Sequence, residues 1–267
     1  MGKRNHGGGG QAKRFKSGVL IEPGQVGIYA SCNRHKEGAA AKELKQLLND
    51  RWKEYFPVEE ETNEENEKEE ESVEDAIKRE IDEMNKQNQD AKNKEIVKEM
   101  SINCDSLIFI KTRRPIVPSK FVTQVCSELF ESRAKNTRFL QKLTPIDASC
   151  NATETEFRKL AEKVFRGHFD NQESYSLNLI KRNFSIIDRD TFTSIVAELL
   201  PGHRLNYREP DKMINIFCFK NNIGMSVVNF NDYDKLCKFN LQQIFDRVNG
   251  LDGKEATEGA KQETGAE

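Results

Sequence analysis

Cys32 and His35 come nearest, among the residues of this sequence, to a pair that could do covalent chemistry. A thiol becomes a useful nucleophile when a histidine accepts its proton and a third group orients the imidazole ring. Nothing in the sequence orients His35, and Cys32 follows an apolar run that predicts a strand. His168 and His203 stand alone near predicted helix ends. We therefore expect no catalytic residue in this chain.

The sequence also lacks the glycine-rich loops that hold the phosphates of nucleotides and coenzymes. No Walker A motif occurs, and no G-x-G-x-x-G motif follows a predicted strand. An acetyl-coenzyme A pyrophosphate needs such a turn at the start of a helix, where backbone N–H groups approach closely. The dense glycine run, Gly7 to Gly10, has no strand before it. We expect neither a bound cofactor nor enzymatic activity.

Six cysteines are scattered along the chain, and none belongs to a C-x-x-C pair with the spacing typical of structural zinc. Several fall within apolar strand or helix patterns, where cysteine behaves as a small buried hydrophobe. We interpret them as reduced thiols of an intracellular protein and expect no metal site. The six are Cys32, Cys104, Cys126, Cys150, Cys218 and Cys237.

Basic side chains recur where predicted strands end, and these are the candidate ligand contacts. Strand ends place loops on a rigid scaffold, and arginine and lysine bind phosphate groups well. An alternative interpretation makes the same charges gatekeepers that protect apolar strands from pairing with other chains. We predict RNA contact by seven residues: Lys111, Arg113, Arg114, Arg138, Lys142, Lys181 and Arg182.

Charge is divided unevenly along the chain. Residues 59–83 hold fourteen acidic and three basic residues, and residues 252–267 hold five acidic and two basic ones. Because the whole chain has a net charge of -2, the remaining residues carry a net charge of +12. Five of these positive charges lie within residues 1–16. A basic body with acidic appendages indicates an anionic partner, of which nucleic acid is the commonest.

The elements that must position these residues follow an alternating pattern in the first half. Apolar runs predict strands at 26–30, 106–110 and 138–143. Leu44, Leu47 and Leu48 have helical spacing, and Pro118 opens a second apolar helix face. Between the helices, residues 58–100 are low in complexity and predict a solvated insert. The order β-α-insert-β-α-β suits a small ferredoxin-like sandwich.

The second half has clearer helix starts. Thr153 with Glu156 predicts a capping box, and Asp188 predicts the cap of a further helix. Strands are expected at 175–180, 213–219 and 224–228, followed by a short closing helical segment. No apolar run reaches about 18 residues, so we expect no membrane-spanning segment.

Seven stretches, in this order and spacing, resemble the eukaryotic THUMP-domain tRNA acetyltransferase adaptors of yeast and animals. They lie within residues 20–245, so that the acidic insert and both tails fall outside. The stretches are Gly27–Cys32, Ile110–Pro115, Arg138–Ile146, Cys150–Ala152, Tyr175–Asn183, Pro210–Val228 and Lys238–Leu241.

The resemblance implies a mixed α/β (α+β) fold, with an N-terminal ferredoxin-like domain followed by a THUMP domain. On this basis residues 1–20 form a disordered basic arm, and 21–142 form the ferredoxin-like domain with its acidic insert at 58–100. Residues 143–250 then form the THUMP domain, and 251–267 form a disordered tail.

The resemblance also implies a function. The chain would be a tRNA-binding adaptor that presents tRNA to a separate, large ATP-dependent RNA cytidine acetyltransferase. The product would be N4-acetylcytidine in the D arm of serine and leucine tRNAs, made in the nucleus or nucleolus with some protein in the cytoplasm. Two alternatives stay open: a general RNA chaperone or ribosome-assembly factor, and a tRNA acetyltransferase with an unrecognised active site.

Overall fold

The computed structural model describes residues 21–57, 96–135, 137–169 and 172–251. The expected basic arm at 1–20 lies outside these ranges, as do residues 58–95 of the expected insert and residues 252–267 of the tail. Within the described ranges, no helix is both long and apolar enough to cross a membrane.

The first half forms an antiparallel four-stranded sheet with two helices on one face. Strands β1 (Gly27–Cys32), β2 (Val97–Met100), β3 (Leu107–Thr112) and β4 (Leu140–Ile146) are arranged in the order β2-β3-β1-β4. Helices α1 (Glu37–Tyr55) and α2 (Pro118–Ser132) supply the connections. The chain order β-α-β-β-α-β is that of a ferredoxin-like fold.

Strand β2 corrects the expected boundary of the solvated insert, which placed residues 97–100 outside the core. These residues pair with β3 from Val97↔Thr112 to Met100↔Phe109. Val97 is buried, whereas the middle two residues of the strand are exposed. So short a strand has almost no apolar periodicity of its own, and the ladder to β3 stabilises it instead.

The second half forms a mixed four-stranded sheet of order β5-β8-β7-β6. Its strands are β5 (Ala148–Asn151), β6 (Tyr175–Arg182), β7 (Lys212–Phe219) and β8 (Asn222–Asn229), and only β6 and β7 pair in parallel. Helices α3 (Glu154–Phe165) and α4 (Arg189–Leu199) cover one face. The mixed α/β fold expected from the sequence is confirmed.

Both helices have their predicted N-cap, but the capping box at Thr153 is only half formed, because the Thr153 N–H donates to the Asn151 carbonyl at 2.8 Å and not to Glu156. The Thr153 hydroxyl accepts the N–H of Glu156 at 3.2 Å, and the Asp188 carboxylate accepts the N–H of Thr191 at 2.7 Å. Each bond satisfies a backbone donor that has no partner inside its own helix. The sequence pattern missed β5, a four-residue strand that pairs with β8.

The last part of the described chain returns to the first half. Helix α5 (Phe230–Lys235), a 3-10 turn (Cys237–Phe239) and helix α6 (Leu241–Val248) follow β8. Their buried apolar side chains join the core beneath α1 and α2 rather than the core of the second sheet. The chain thus crosses twice between its two halves.

The two sheets also contact each other directly. Ile214 and Ile216 of β7 face the helices of their own half, whereas Phe217 and Phe219 point to the opposite face. There they pack with Tyr29 and other apolar residues of the first sheet. This apolar contact holds the strand ends of the two halves in one arrangement.

Candidate nucleic-acid interface

The carboxyl end of β1 is surrounded by basic side chains. The turn after β1 carries Arg34 and Lys36, and Arg138 stands just before β4. The Lys36 ammonium and the Arg138 guanidinium both approach the ring of Phe139, at 5.8 Å and 5.4 Å from its centroid. An aromatic ring held among cations can stack on a base while the cations bind phosphate.

Glu43 of α1 holds this region in place. Its carboxylate accepts the backbone N–H groups of Arg138, Phe139 and Leu140 at 3.0 to 3.3 Å. The backbone N–H of Asn33 in turn donates to the Phe139 carbonyl at 3.2 Å. Arg138 therefore projects from a loop that Glu43 holds by three hydrogen bonds. The Asn33 bond joins this loop to the turn that carries Arg34 and Lys36.

Lys142 of β4 lies at the same end of the sheet. The pairing of β1 with β4 shifts between Ala30 and Cys32, and the Lys142 N–H donates to the Ser31 hydroxyl at 3.1 Å. The side chain is only partly exposed. Burial lowers the pKa of Lys142, and the nearby charge of Lys238 lowers it further.

Two further cations come from the second sheet. Arg182 ends β6, and Lys220 stands in the turn between β7 and β8, where its ammonium donates to the Ile102 carbonyl at 3.4 Å. The backbone N–H of Lys220 donates to the Arg182 carbonyl at 3.3 Å, so the two residues are neighbours. Burial raises the pKa of the nearby Cys104 thiol, and the charges of Arg182 and Lys220 lower it. The adjacent Asp105 pairs with Arg34 at 3.8 Å.

Strand pairing and these contacts bring basic residues of both halves to the end of the molecule at which β1 ends. We call this end the β1-end face and define it by Arg34, Lys36, Arg138, Lys142, Arg182 and Lys220. Three of them were predicted from the sequence as RNA contacts, and three were missed. The missed residues follow β1 and β7, so the strand-end rule would have found them had it been applied to every strand.

Lys111, Arg113 and Arg114 do not join this face. Strand β3 starts beside the loop that carries Asp105 and runs six residues away from it before reaching this cluster. At about 3.4 Å per residue, the two ends of β3 are on the order of 17–20 Å apart. The Arg113 N–H donates to the carbonyl of Ile96 at 3.0 Å, at the far end of the sheet. We call these three residues the β3-end cluster.

Lys181 also points away from the β1-end face. Alternate residues of a strand face opposite sides, so Lys181 lies on the helix-covered side of the second sheet and Arg182 on the other. The Lys181 ammonium donates to the Ile187 carbonyl at 2.7 Å and lies 5.9 Å from the ring centroid of Phe184. The Lys181 ammonium is thus occupied by contacts within the fold and does not belong to the β1-end face.

The Cys32 and His35 pair has no catalytic geometry. The Cys32 thiol is buried, and burial together with the charge of Glu37 raises its pKa to about 11. The thiol is therefore protonated at neutral pH, which is the opposite of an activated nucleophile. His35 is exposed, and its backbone N–H donates to Glu37 at 3.2 Å.

The remaining candidate chemistry is structural. His168 Nδ1 bonds the Val164 carbonyl and His203 Nδ1 bonds the Glu173 carbonyl, both at 2.9 Å. All six cysteines are free thiols, and four of them are buried. In the parts of the chain that the structure describes, no group of three or more histidine, cysteine, aspartate or glutamate side chains could hold a metal ion.

Comparison with known proteins decides the family. Residues 151–228 match the THUMP domain model. Over 259 residues, the chain is 34% identical to the Saccharomyces cerevisiae protein named tRNA acetyltransferase TAN1, covering 88% of this chain and 90% of the yeast protein. The chain belongs to the TAN1 family. A mouse member, THUMP domain-containing protein 1, is 24% identical over 87% of this chain and 69% of its own length. The resemblance expected from the sequence is confirmed.

Solved structures are more distant from this TAN1 family member. A Pyrococcus horikoshii protein matches with a TM-score of 0.43 and 11% identity, covering 76% of this chain and 55% of that protein. TrmN from Thermus thermophilus matches with a TM-score of 0.41 and 10% identity, covering 76% of this chain and 45% of TrmN. Likeness at this level supports no functional conclusion.

Proposed function

We propose that this chain is a tRNA-binding adaptor in tRNA acetylation, which presents tRNA to a separate RNA cytidine acetyltransferase. The observation that carries the proposal is 34% identity, over nearly the whole chain, to a protein named for tRNA acetylation. The β1-end face supports it, because six cations from both halves surround one end of the molecule. Such a surface suits the RNA backbone, whose phosphates bind lysine and arginine irrespective of sequence.

The finer assignment is that N4-acetylcytidine forms in the D arm of serine and leucine tRNAs, and that the partner enzyme is large and ATP-dependent. We place this activity in the nucleus, chiefly the nucleolus, with some protein in the cytoplasm. Immunofluorescence of the tagged chain tests the location. Crosslinking of the chain to RNA in cells, followed by sequencing, tests the tRNA set, and recovery of mainly ribosomal RNA would favour the ribosome-assembly alternative.

A second candidate is that the chain acetylates tRNA itself, since the yeast relative is named an acetyltransferase. The state of Cys32 argues against the one candidate nucleophile, because a buried thiol with a pKa of about 11 is protonated at neutral pH. The adaptor assignment therefore places the acetyl transfer on another protein.

Reconstitution separates the two candidates. Purified chain, tRNA, acetyl-coenzyme A and ATP are incubated with and without the acetyltransferase, and acetylated cytidine is measured by mass spectrometry. An adaptor gives product only when both proteins are present, and Cys32→Ala with His35→Ala leaves the yield unchanged. Product from the chain alone would overturn the adaptor assignment and favour the enzyme.

A further inference from the structure

Two lysines from distant parts of the chain meet at the margin of the β1-end face. Lys142 belongs to β4, and Lys238 belongs to the 3-10 turn that follows α5. An isolated β-bridge pairs Lys142 with Asn240, two residues beyond Lys238. The 3-10 turn packs against β4 at this bridge, and there the charge of Lys238 adds to burial in lowering the pKa of Lys142.

The backbone that presents Lys238 is strained. Cys237, Lys238 and Phe239 have φ values of 48°, 57° and 62°, a left-handed run that is unfavourable for residues with a Cβ atom. Such conformations persist only where the surroundings hold them. Here Phe239 is fully buried and meets the Tyr233 ring edge to face at 5.1 Å.

The following residue anchors the other side of the turn. The Asn240 side chain accepts the N–H groups of Gln242 and Gln243 at 3.1 and 3.2 Å and so caps α6. The fold therefore holds a strained turn between a buried ring and a capped helix, and the exposed side chain that this turn presents is Lys238.

Neither Lys142 nor Lys238 forms an ion pair with another described residue. A partly buried ammonium group beside a second one is unfavourable, because burial and like charge both oppose the protonated form. An anion bound between the two would relieve both effects.

We infer that Lys142 and Lys238 form a phosphate-binding site for the RNA backbone at the margin of the β1-end face. The inference rests on the proposed function for the identity of the ligand, since RNA supplies the phosphate. It goes beyond that function by assigning phosphate binding to Lys142 and Lys238, and by explaining the strained turn as the backbone that presents Lys238. Because Lys142 comes from the first half and Lys238 from the segment after the THUMP strands, both must be correctly folded together for the site to exist.

Salt-dependent tRNA binding tests the site in the full chain. Lys142→Met with Lys238→Met keeps the aliphatic stems and removes both charges, while the double change to Arg keeps the charges. Lys163→Met on the exposed side of α3 is the matched control. We expect the double Met variant to bind tRNA at least about tenfold more weakly, with the slope of log affinity against log salt reduced by one to two phosphate contacts. The Arg and control variants should stay within about threefold of the wild type.

Lys238→Gly provides a second variant that favours the native turn. Glycine adopts a left-handed φ readily, so this change should raise the melting temperature while it weakens tRNA binding. The site is overturned if a double Met variant that melts as the wild type does, or a folded Lys238→Gly variant, binds tRNA with unchanged affinity and salt slope. In that case tRNA binding by the wild type still supports the proposed function.

Inorganic pyrophosphate tests the site independently of tRNA. A ligand that binds only the folded state raises the melting temperature. We expect a larger rise for the wild type than for the double Met variant, and equal rises would overturn the site. If the wild type binds no tRNA at all, the proposed function fails, and the pyrophosphate result alone decides whether the two lysines bind an anion.

Discussion

The ring of Tyr29 stacks on the ring of Phe217, with centroids 4.1 Å apart and ring planes inclined by 22°. Tyr29 belongs to β1, one of the two central strands of the first sheet, and Phe217 belongs to β7 of the second sheet. Tyr29 also contacts Phe109 and Phe219, so one ring touches aromatic side chains of both halves. This contact sets the arrangement in which Arg182 reaches the basic end of β1.

Tyr29 makes a first prediction about stability. Its hydroxyl is buried and has no hydrogen-bond partner among the described residues. Tyr29→Phe should therefore leave the free energy of unfolding unchanged or raise it by up to about 1 kcal/mol, since an unsatisfied polar group is removed. Tyr29→Ala should lower it by about 3–5 kcal/mol, because the packing of the whole ring is removed. Urea unfolding measures both, and a decrease above about 2 kcal/mol for Tyr29→Phe would reveal a bonded hydroxyl.

The two basic regions should differ in tRNA binding. Arg138→Ala with Arg182→Ala removes one cation from each half of the β1-end face, and should weaken binding by about 1–3 kcal/mol for each phosphate group that is no longer bound. The salt slope should fall by roughly two phosphate groups. Arg113→Ala with Arg114→Ala is the comparison at the β3-end cluster, where we expect less than about a threefold change. If the change at Arg113 and Arg114 weakened tRNA binding more than the change at Arg138 and Arg182, the tRNA would bind at the β3-end cluster instead.

Lys181 should contribute to stability rather than to RNA affinity. Its ammonium is bonded to the Ile187 carbonyl at 2.7 Å, so Lys181→Met should cost about 1–2 kcal/mol of unfolding free energy. Arg182→Met is the matched control on the opposite side of the same strand, and it should change binding more than stability. Equal reductions of the salt slope in the two variants would contradict this division.

Asp147 predicts a pH-dependent difference between variants. Burial raises the pKa of its carboxyl above 3.8, although the Ser119 N–H at the start of α2 donates to it at 2.9 Å. A carboxyl with a raised folded-state pKa is most favourable at low pH, and its contribution is lost as pH rises through that value. Asp147→Asn keeps an acceptor for Ser119 and removes the buried charge.

The stability of Asp147→Asn relative to the wild type should therefore increase from about pH 3.5 towards neutral pH and then level off. Melting temperatures of both proteins across this pH range measure the difference in stability. The contributions of the other acidic groups cancel in this difference, because both proteins contain them. A difference that shrinks as pH rises would show that the ionised carboxylate is favourable in the fold.

Local sequence patterns were sufficient to predict the positions of most of the helices and of the long strands. Apolar spacing located α2, and the side chains of Thr153 and Asp188 located two helix starts, because a cap needs only residues close in sequence. The patterns missed β2 and β5, each four residues long, because a short strand depends on a partner that lies elsewhere in the chain.

The candidate site depended even more on distant contacts. The strand-end rule identified Arg138, Lys142 and Arg182 as well as the β3-end cluster, but it could not tell which of them share a surface. Strand direction decided that, because the two ends of β3 lie on the order of 17–20 Å apart. Alternation along β6 likewise separated Lys181 from its neighbour Arg182.

The sequence by itself thus determined the fold class, the family, the division of charge and the absence of a phosphate-binding glycine loop. These properties depend on residue type, order and short-range spacing. Only the tertiary structure decided that the segment after β8 returns to the first half and places Lys238 beside Lys142. That meeting follows from the burial of Phe239 and its neighbours in a shared core, and burial depends on which surfaces the whole chain brings together.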